Sequence, residues 1–233
     1  MDVVKKRGDA LWAARSFFHA RGFVEVDTPL LVPGPGLEPH IDPLSVEIRL
    51  DFDTAPTTRW LVTSPELALK RLVAGGAERI YQLGHVFRDG ERTKRHLPEF
   101  TLLEWYRGHG SLAQIIDDHE ELFAAVAQCL GVAAPKTPFQ KMEVRDLFEE
   151  HARIDLDKCL DEPPRLVDEA KRVGLVLREG AAFEHAFFAL MDQKIAPNLG
   201  RDRPMVVSRW PTSMAVLARK SDDDERYAER FEI

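Results

Sequence analysis

Residues 86–106 read Val-Phe-Arg-Asp-Gly-Glu-Arg-Thr-Lys-Arg-His-Leu-Pro-Glu-Phe-Thr-Leu-Leu-Glu-Trp-Tyr. Two apolar, β-prone runs flank a polar loop, and the pattern predicts a hairpin with strands over Arg79 to Phe87 and Glu99 to Arg107. Side chains alternate faces along a strand, so Phe100, Leu102, Glu104 and Tyr106 share one face, and Arg88 on the opposing strand can reach it. A carboxylate set between aromatic groups on a sheet face is costly unless it meets a cation or hydrogen-bond donors. The arrangement suits the ammonium of a small ligand, with Glu91, Arg92, Lys94, Arg95 and His96 in the loop above it. Taken singly, each residue has an ordinary alternative. Arg88 can be a sheet-surface arginine or a structural partner of Glu104, Phe100 a core residue, His96 a loop residue. Only the joint pattern points to a site.

Helical spacing of Leu11, Ala14 and Phe18 predicts a helix from about Val3 to Ala20, stopped by Gly22. A short strand follows at Phe23 to Thr28, ended by Pro29, then a Pro-Gly loop at 33–36 and strands near 44–50 and 60–62. Thr63-Ser64-Pro65-Glu66 is a helix start: Ser64 can cap free N–H groups, Pro65 suits the first turn, and Glu66 favours the positive end. Ser111 with Gln114 forms a capping-box pattern opening a helix that runs to Gly131. Residues from about 135 to 200 read as mainly helical, in three short amphipathic pieces. Pro204 to Trp210 returns to strand, and Asp222-Asp223-Asp224-Glu225 reads as a solvated helix start. The expected class is α+β, one domain over 1–233 built on an antiparallel sheet flanked by helices.

The chain has 233 residues, 44% of them hydrophobic, enough for a full core. No apolar run approaches the ~20 residues of a membrane-spanning helix, and the charged N-terminus lacks a signal-peptide pattern, so a cytoplasmic protein is expected. Cys129 and Cys159 are too few for a structural zinc site, and Cys129 is expected to be a buried free thiol. The net charge of −7 counts against a large nucleic-acid-binding surface.

Arg21 to Pro29 resembles motif 1 of class II aminoacyl-tRNA synthetases, and Phe87-Arg88 through Tyr106 resembles their motif 2. Thr63-Ser64-Pro65-Glu66-Leu67, Lys70-Arg71-Leu72 and Pro98 to Tyr106 are similar to the lysyl subclass, and the likeness continues through Leu217-Ala218-Arg219 and Glu229 to Glu232. Leu-Glu-Trp-Tyr-Arg at 103–107 looks like the stand-alone paralogue that lysylates elongation factor P. The resemblance implies ATP-dependent activation of lysine or β-lysine as an aminoacyl-adenylate, with Mg2+, and transfer to a lysine of elongation factor P. The alternatives are a lysyl-tRNA synthetase fragment acting on tRNA, or a non-catalytic nucleotide-binding paralogue. It implies Arg88 as the catalytic residue; Arg88, Asp89, Gly90, Glu91, His96 and Phe100 at ATP; Ser64, Glu66, Glu104 and Tyr106 at the amino acid; no metal held by the residues named; and a homodimer. Two positions depart from the family pattern: Gly90 precedes Glu91 where the glutamate usually comes one earlier, and Leu97 stands where asparagine is usual. An anticodon-binding barrel before motif 1, and motif 3 with the end of the sheet, are expected to be missing.

Overall fold

The computed structural model describes residues 2–36, 38, 41–94 and 96–233. The chain separates into two compact units, Met1–Val132 and Ala133–Ile233.

The first unit begins with α1 (Asp2–Ala20). Gly22 takes φ +74°, which a side chain would disfavour, and turns the chain so that Phe23 folds back on Phe18 with ring centroids 5.1 Å apart. Then come β1 (Val24–Glu25), β2 (Leu31–Val32), β3 (Ser45–Ile48), β4 (Thr57–Leu61) and α2 (Glu66–Ala74). The predicted hairpin follows as β5 (Arg79–Phe87) and β6 (Glu99–Arg107), and α3 (Leu112–Leu130) closes the unit. The hairpin strands pair antiparallel from Phe87↔Glu99 to Arg79↔Arg107, while β1 lies parallel to β5 with Val24 opposite Ile80. A second, antiparallel sheet has the order β2-β4-β3.

Register assigns the odd-numbered face of the hairpin to the core. Tyr81, Leu83, Leu103 and Trp105 pack against Phe17, Phe18 and Phe23 and against Leu122 of α3. One polar contact locks this face. Arg107 donates from Nε and Nη2 to the two carboxylate oxygens of Asp118 at 2.7 and 2.6 Å, and the Trp105 indole N–H reaches Asp118 Oδ2 at 3.3 Å. The bidentate geometry gives α3 a single height on the sheet.

The capping box at Ser111 and Gln114 forms as expected, and Gly131 ends α3 in the left-handed conformation. Cys129, expected to be buried, is exposed. The inward stripe of α3 runs through Ile116, Leu122 and Ala127, and two residues past Ala127 the helix has turned roughly 200°. Cys159 is the buried thiol, and burial pushes its pKa up to about 11.

The second unit runs β7 (Gln140–Glu143), α4 (Val144–Ala152), α5 (Leu156–Asp161), α6 (Pro164–Arg172), α7 (Phe183–Leu190), β8 (Met205–Pro211) and β9 (Tyr227–Glu232). A π-helical turn, Met191–Ile195, extends α7. β7 is parallel and β9 antiparallel to β8. The core gathers Phe148, Leu147, Phe187, Leu190, Trp210 and Tyr227. Two expectations need correction. The stretch read as three helices holds four, preceded by the unexpected strand β7. The acidic run at 222–225 starts no helix: Asp223 holds Arg209 and Asp224 holds Arg226, and the chain turns there into β9.

Asp118 is only 3% exposed, so its loss would strand the Arg107 guanidinium beside the core. Asp118→Ala is expected to cost about 3–5 kcal/mol in urea denaturation, and Arg107→Met with Asp118→Leu to recover most of it. A cost below about 1 kcal/mol, the size of an exposed pair, would show that the contact does not anchor α3.

Candidate active site

The even-numbered face of the hairpin lies away from the α1–α3 core and carries the candidate site residues Phe100, Glu104 and Tyr106. Its cross-strand pairs are Ile80↔Tyr106, Gln82↔Glu104, Gly84↔Leu102 and Val86↔Phe100. At the hairpin mouth the Arg88 N–H donates to the Pro98 carbonyl at 2.8 Å, extending the ladder by one step. The Arg88 guanidinium lies 5.1 Å from the Phe100 ring centroid. Its Nε donates to the Thr63 carbonyl at 3.3 Å, and Nη1 is 3.9 Å from a Glu91 carboxylate oxygen. Arg88 is therefore held from three sides and makes no pair with Glu104, which removes the structural-bridge alternative. Phe100 is half-buried on the open face, where a planar group can stack on it.

Glu104 sits two cross-strand pairs further along. Ser64 Oγ donates to its Oε2 and the Tyr106 hydroxyl to its Oε1, both at 2.7 Å. Burial pushes the Glu104 carboxyl above the usual carboxylate range; the two hydrogen bonds pull it down, Glu66 nearby adds to the rise and Lys70 opposes it. Burial, with the carboxylate beside it, holds the Tyr106 phenol far above its ordinary value, so Tyr106 stays a donor. The result is a carboxylate aimed by two hydroxyls that forms no ion pair among the described residues.

Ser64 also accepts from the Glu66 N–H at 3.1 Å, so it does serve the start of α2, although the helix begins at Glu66 with Pro65 before it. Glu66 Oε1 is engaged by Lys70 Nζ at 2.6 Å, one helical turn on. A cavity of about 600 Å³ adjoins Ser64, walled by Pro29, Pro33, Gly36, Thr63 and Arg71. The backbone approaches closely at Gly36: an added β-carbon would fall 2.5 Å from Glu38 Oε2 and 2.9 Å from Thr63 Oγ1, so a larger residue would require those side chains to shift.

The hairpin loop is mostly exposed. The Asp89 N–H donates to the Asp42 carbonyl at 2.7 Å, and Gly90 follows at φ +72°. His96 forms a local turn with Thr93, Nδ1 to Oγ1 at 2.8 Å. Arg95 lies outside the described residues. The structure thus brings Ser64, Glu104 and Tyr106 into direct contact and joins Arg88 to Phe100 and Glu91. Among the described residues, the hydrogen bonds of Asp89, Gly90 and His96 run to Asp42, Arg92, Thr93 and one another, and none joins them to either group.

Two residues escaped the sequence reading. Gln82 is 3% exposed on the same face as Glu104, and its Oε1 accepts from both the Thr28 backbone N–H at 3.2 Å and the Thr28 hydroxyl at 2.8 Å. The alternation that placed Glu104 also places Gln82 opposite it, but nothing in the sequence announces the Thr28 contact.

A model of the family of class II tRNA synthetases (D, K and N) matches residues 1–233. Among curated relatives, the elongation factor P–(R)-β-lysine ligase of Haemophilus ducreyi is 35% identical over 233 residues, covering 100% of this chain and 68% of the relative. Its namesake in Haemophilus influenzae (strain PittGG) is 33% identical over 228 residues, covering 98% and 68%. That of Histophilus somni (strain 2336) is 35% identical over 220 residues, covering 94% and 65%. The chain spans about two thirds of the length of these relatives. With a family model matched along its whole length, the chain belongs to the class II tRNA synthetase (D, K and N) family.

Proposed function

We propose that the chain activates lysine or β-lysine with ATP and passes the aminoacyl group to a lysine of elongation factor P. The observation that carries the amino-acid class is Glu104: a desolvated carboxylate, oriented by Ser64 and Tyr106, that forms no ion pair among the described residues. A substrate ammonium would satisfy it, whereas a neutral side chain would leave it buried and unpaired. Glu66 and Ser64, at the start of α2, lie where a second amino group can be read. The names of the relatives support (R)-β-lysine and elongation factor P, and the charge of −7 supports a protein acceptor over tRNA.

In this reading a substrate carboxylate oxygen attacks the α-phosphorus of ATP. The bond from that phosphorus to the bridging oxygen breaks, and pyrophosphate leaves with the electron pair. Arg88, fixed by Thr63, Glu91 and Phe100, donates to the oxygens that gain charge, an interaction that strengthens in the transition state. Phe100 offers its ring to the adenine, with Asp89, Gly90, Glu91 and His96 in the loop around the nucleotide. The acceptor amine then attacks the acyl carbon, AMP leaves, and the amine sheds a proton to solvent. Among the described residues no three of His, Cys, Asp and Glu gather as a metal site, and a Mg2+ arriving with ATP would be held chiefly by the phosphates, with one or two carboxylates.

Among the described residues no helix is long and apolar enough to cross a membrane. Val3, Val4, Trp12 and Val24 are large exposed apolar residues on α1 and β1, which supports the expected two-fold homodimer.

Amino-acid-dependent ATP–pyrophosphate exchange tests the reading. Exchange should require lysine or β-lysine and fall at least about 100-fold in Arg88→Ala, in line with loss of a preorganised donor. No exchange from folded protein, or equal exchange with neutral amino acids, would refute it. Sedimentation of the same sample should give twice the chain mass; a monomer would remove the dimer.

The pH dependence has a definite sign. The Glu104 pKa is raised on folding, so its stabilising contribution is complete below the unfolded value and is lost as pH rises through the folded one. An ammonium binds the ionised form, so lysine affinity should fall as pH drops through that raised pKa, beginning above the range of an ordinary glutamate. Calorimetric titration from pH 7.5 to pH 5 checks this; a flat profile identical to that of Glu104→Gln would contradict it.

A further inference from the structure

We infer that Gln82 is a substrate-positioning residue, whose side-chain amide N–H donates to the carboxylate of the amino acid and then to the acyl carbonyl of its adenylate. The inference rests on the amino-acid-activation reading and adds a residue to it.

The Thr28 contact fixes the orientation of the Gln82 amide. A backbone N–H can only donate, so the atom it meets at 3.2 Å must be the amide oxygen of Gln82. The Thr28 hydroxyl meets the same oxygen at 2.8 Å, and the two donors fix the amide against flipping. The amide nitrogen therefore points the other way. It lies over the hairpin face left bare by Gly84, where an added β-carbon would sit 3.6 Å from it. No partner acceptor meets that nitrogen among the described residues, although Gln82 as a whole is 97% buried, from a relative exposure of 3%. The nitrogen is not a fully buried atom left without a partner, so water reaches it, and an oxygen acceptor of a ligand lying over Gly84 can take that water's place.

The position says which acceptor. Along the even face the order is Glu104 with Gln82, then Leu102 with Gly84, then Phe100 with Val86, then Arg88. At roughly 3.3 Å per residue, the Glu104 level lies about 13 Å from the Phe100–Arg88 end, and Gly84 lies between. An amino acid with its side-chain ammonium on Glu104 and its carboxylate directed at the nucleotide passes its carboxylate end over Gly84, beside the Gln82 N–H. The amide adds no charge, so it can hold the attacking carboxylate without neutralising its nucleophilicity as a second arginine would. Thr28, in the segment that leads from β1 into the cavity loop, then acts through Gln82 as its support.

Two variants separate positioning from folding. Gln82→Glu keeps size and the acceptor for Thr28 but replaces the donor with an oxygen. Gly84→Ala leaves Gln82 and Thr28 untouched and covers the nitrogen with a methyl group. For each, calorimetry with lysine or β-lysine alone and with ATP alone is paired with a thermal melt. Both variants should weaken amino-acid binding by about tenfold or more, the equivalent of one lost hydrogen bond to a charged group, while ATP affinity stays within twofold. Wild-type affinity for the amino acid in folded variants, or equal loss toward both ligands, would overturn the inference and leave the activation reading standing. Failure of the wild-type protein to bind either amino acid would overturn both.

Discussion

Antiparallel pairing of β5 with β6 sets what every other part of the first unit does. Because alternate residues face opposite sides, one register places Tyr81, Leu83, Leu103 and Trp105 against the aromatic core of α1 and the inner stripe of α3. The same register places Gln82, Gly84, Glu104 and Tyr106 on the other face. A slip of one residue would bury the carboxylate in the aromatic core and send Trp105 to the site, so core packing enforces the site's geometry. The Arg107–Asp118 pair reinforces the register from the polar side, since its bidentate contact tolerates no shift of α3 along the strand.

The site itself combines groups that are rigid with one group that is unsatisfied. Arg88 is held by a carbonyl, a ring and a nearby carboxylate; Ser64 is shared between Glu104 and the start of α2. Glu104 has its direction set by two hydroxyls, but it forms no ion pair among the described residues, and Lys70 acts on it only from a distance. Preorganised donors around an uncompensated carboxylate favour a cationic ligand twice over, by attraction and by relief of the desolvation already incurred in folding.

Much of this was legible because it is local. The span of each hairpin strand followed from alternation between turn-forming residues, the capping box at Ser111 from a three-residue spacing, and the shared face of Phe100, Glu104 and Tyr106 from strand geometry alone. What escaped depends on distant partners. β7 reads Gln-Lys-Met-Glu, a sequence with little strand preference, and exists because Gln140 to Glu143 find Met205 to Ser208 alongside. The acidic run at 222–225 looks like a helix start until Arg209 and Arg226 claim its carboxylates. Gln82 looked like an ordinary strand residue because Thr28, which orients it, lies 54 positions away.

Selection of an ammonium by Glu104 is read by comparing lysine with norleucine, which has a hydrogen in place of the terminal ammonium. Calorimetric titration of the wild-type chain should show lysine binding at least about tenfold more tightly, the free energy of one charge-assisted hydrogen bond. In Glu104→Gln that preference should collapse. Equal affinities for the two ligands in the wild-type chain, or an undiminished preference in the variant, would contradict the account.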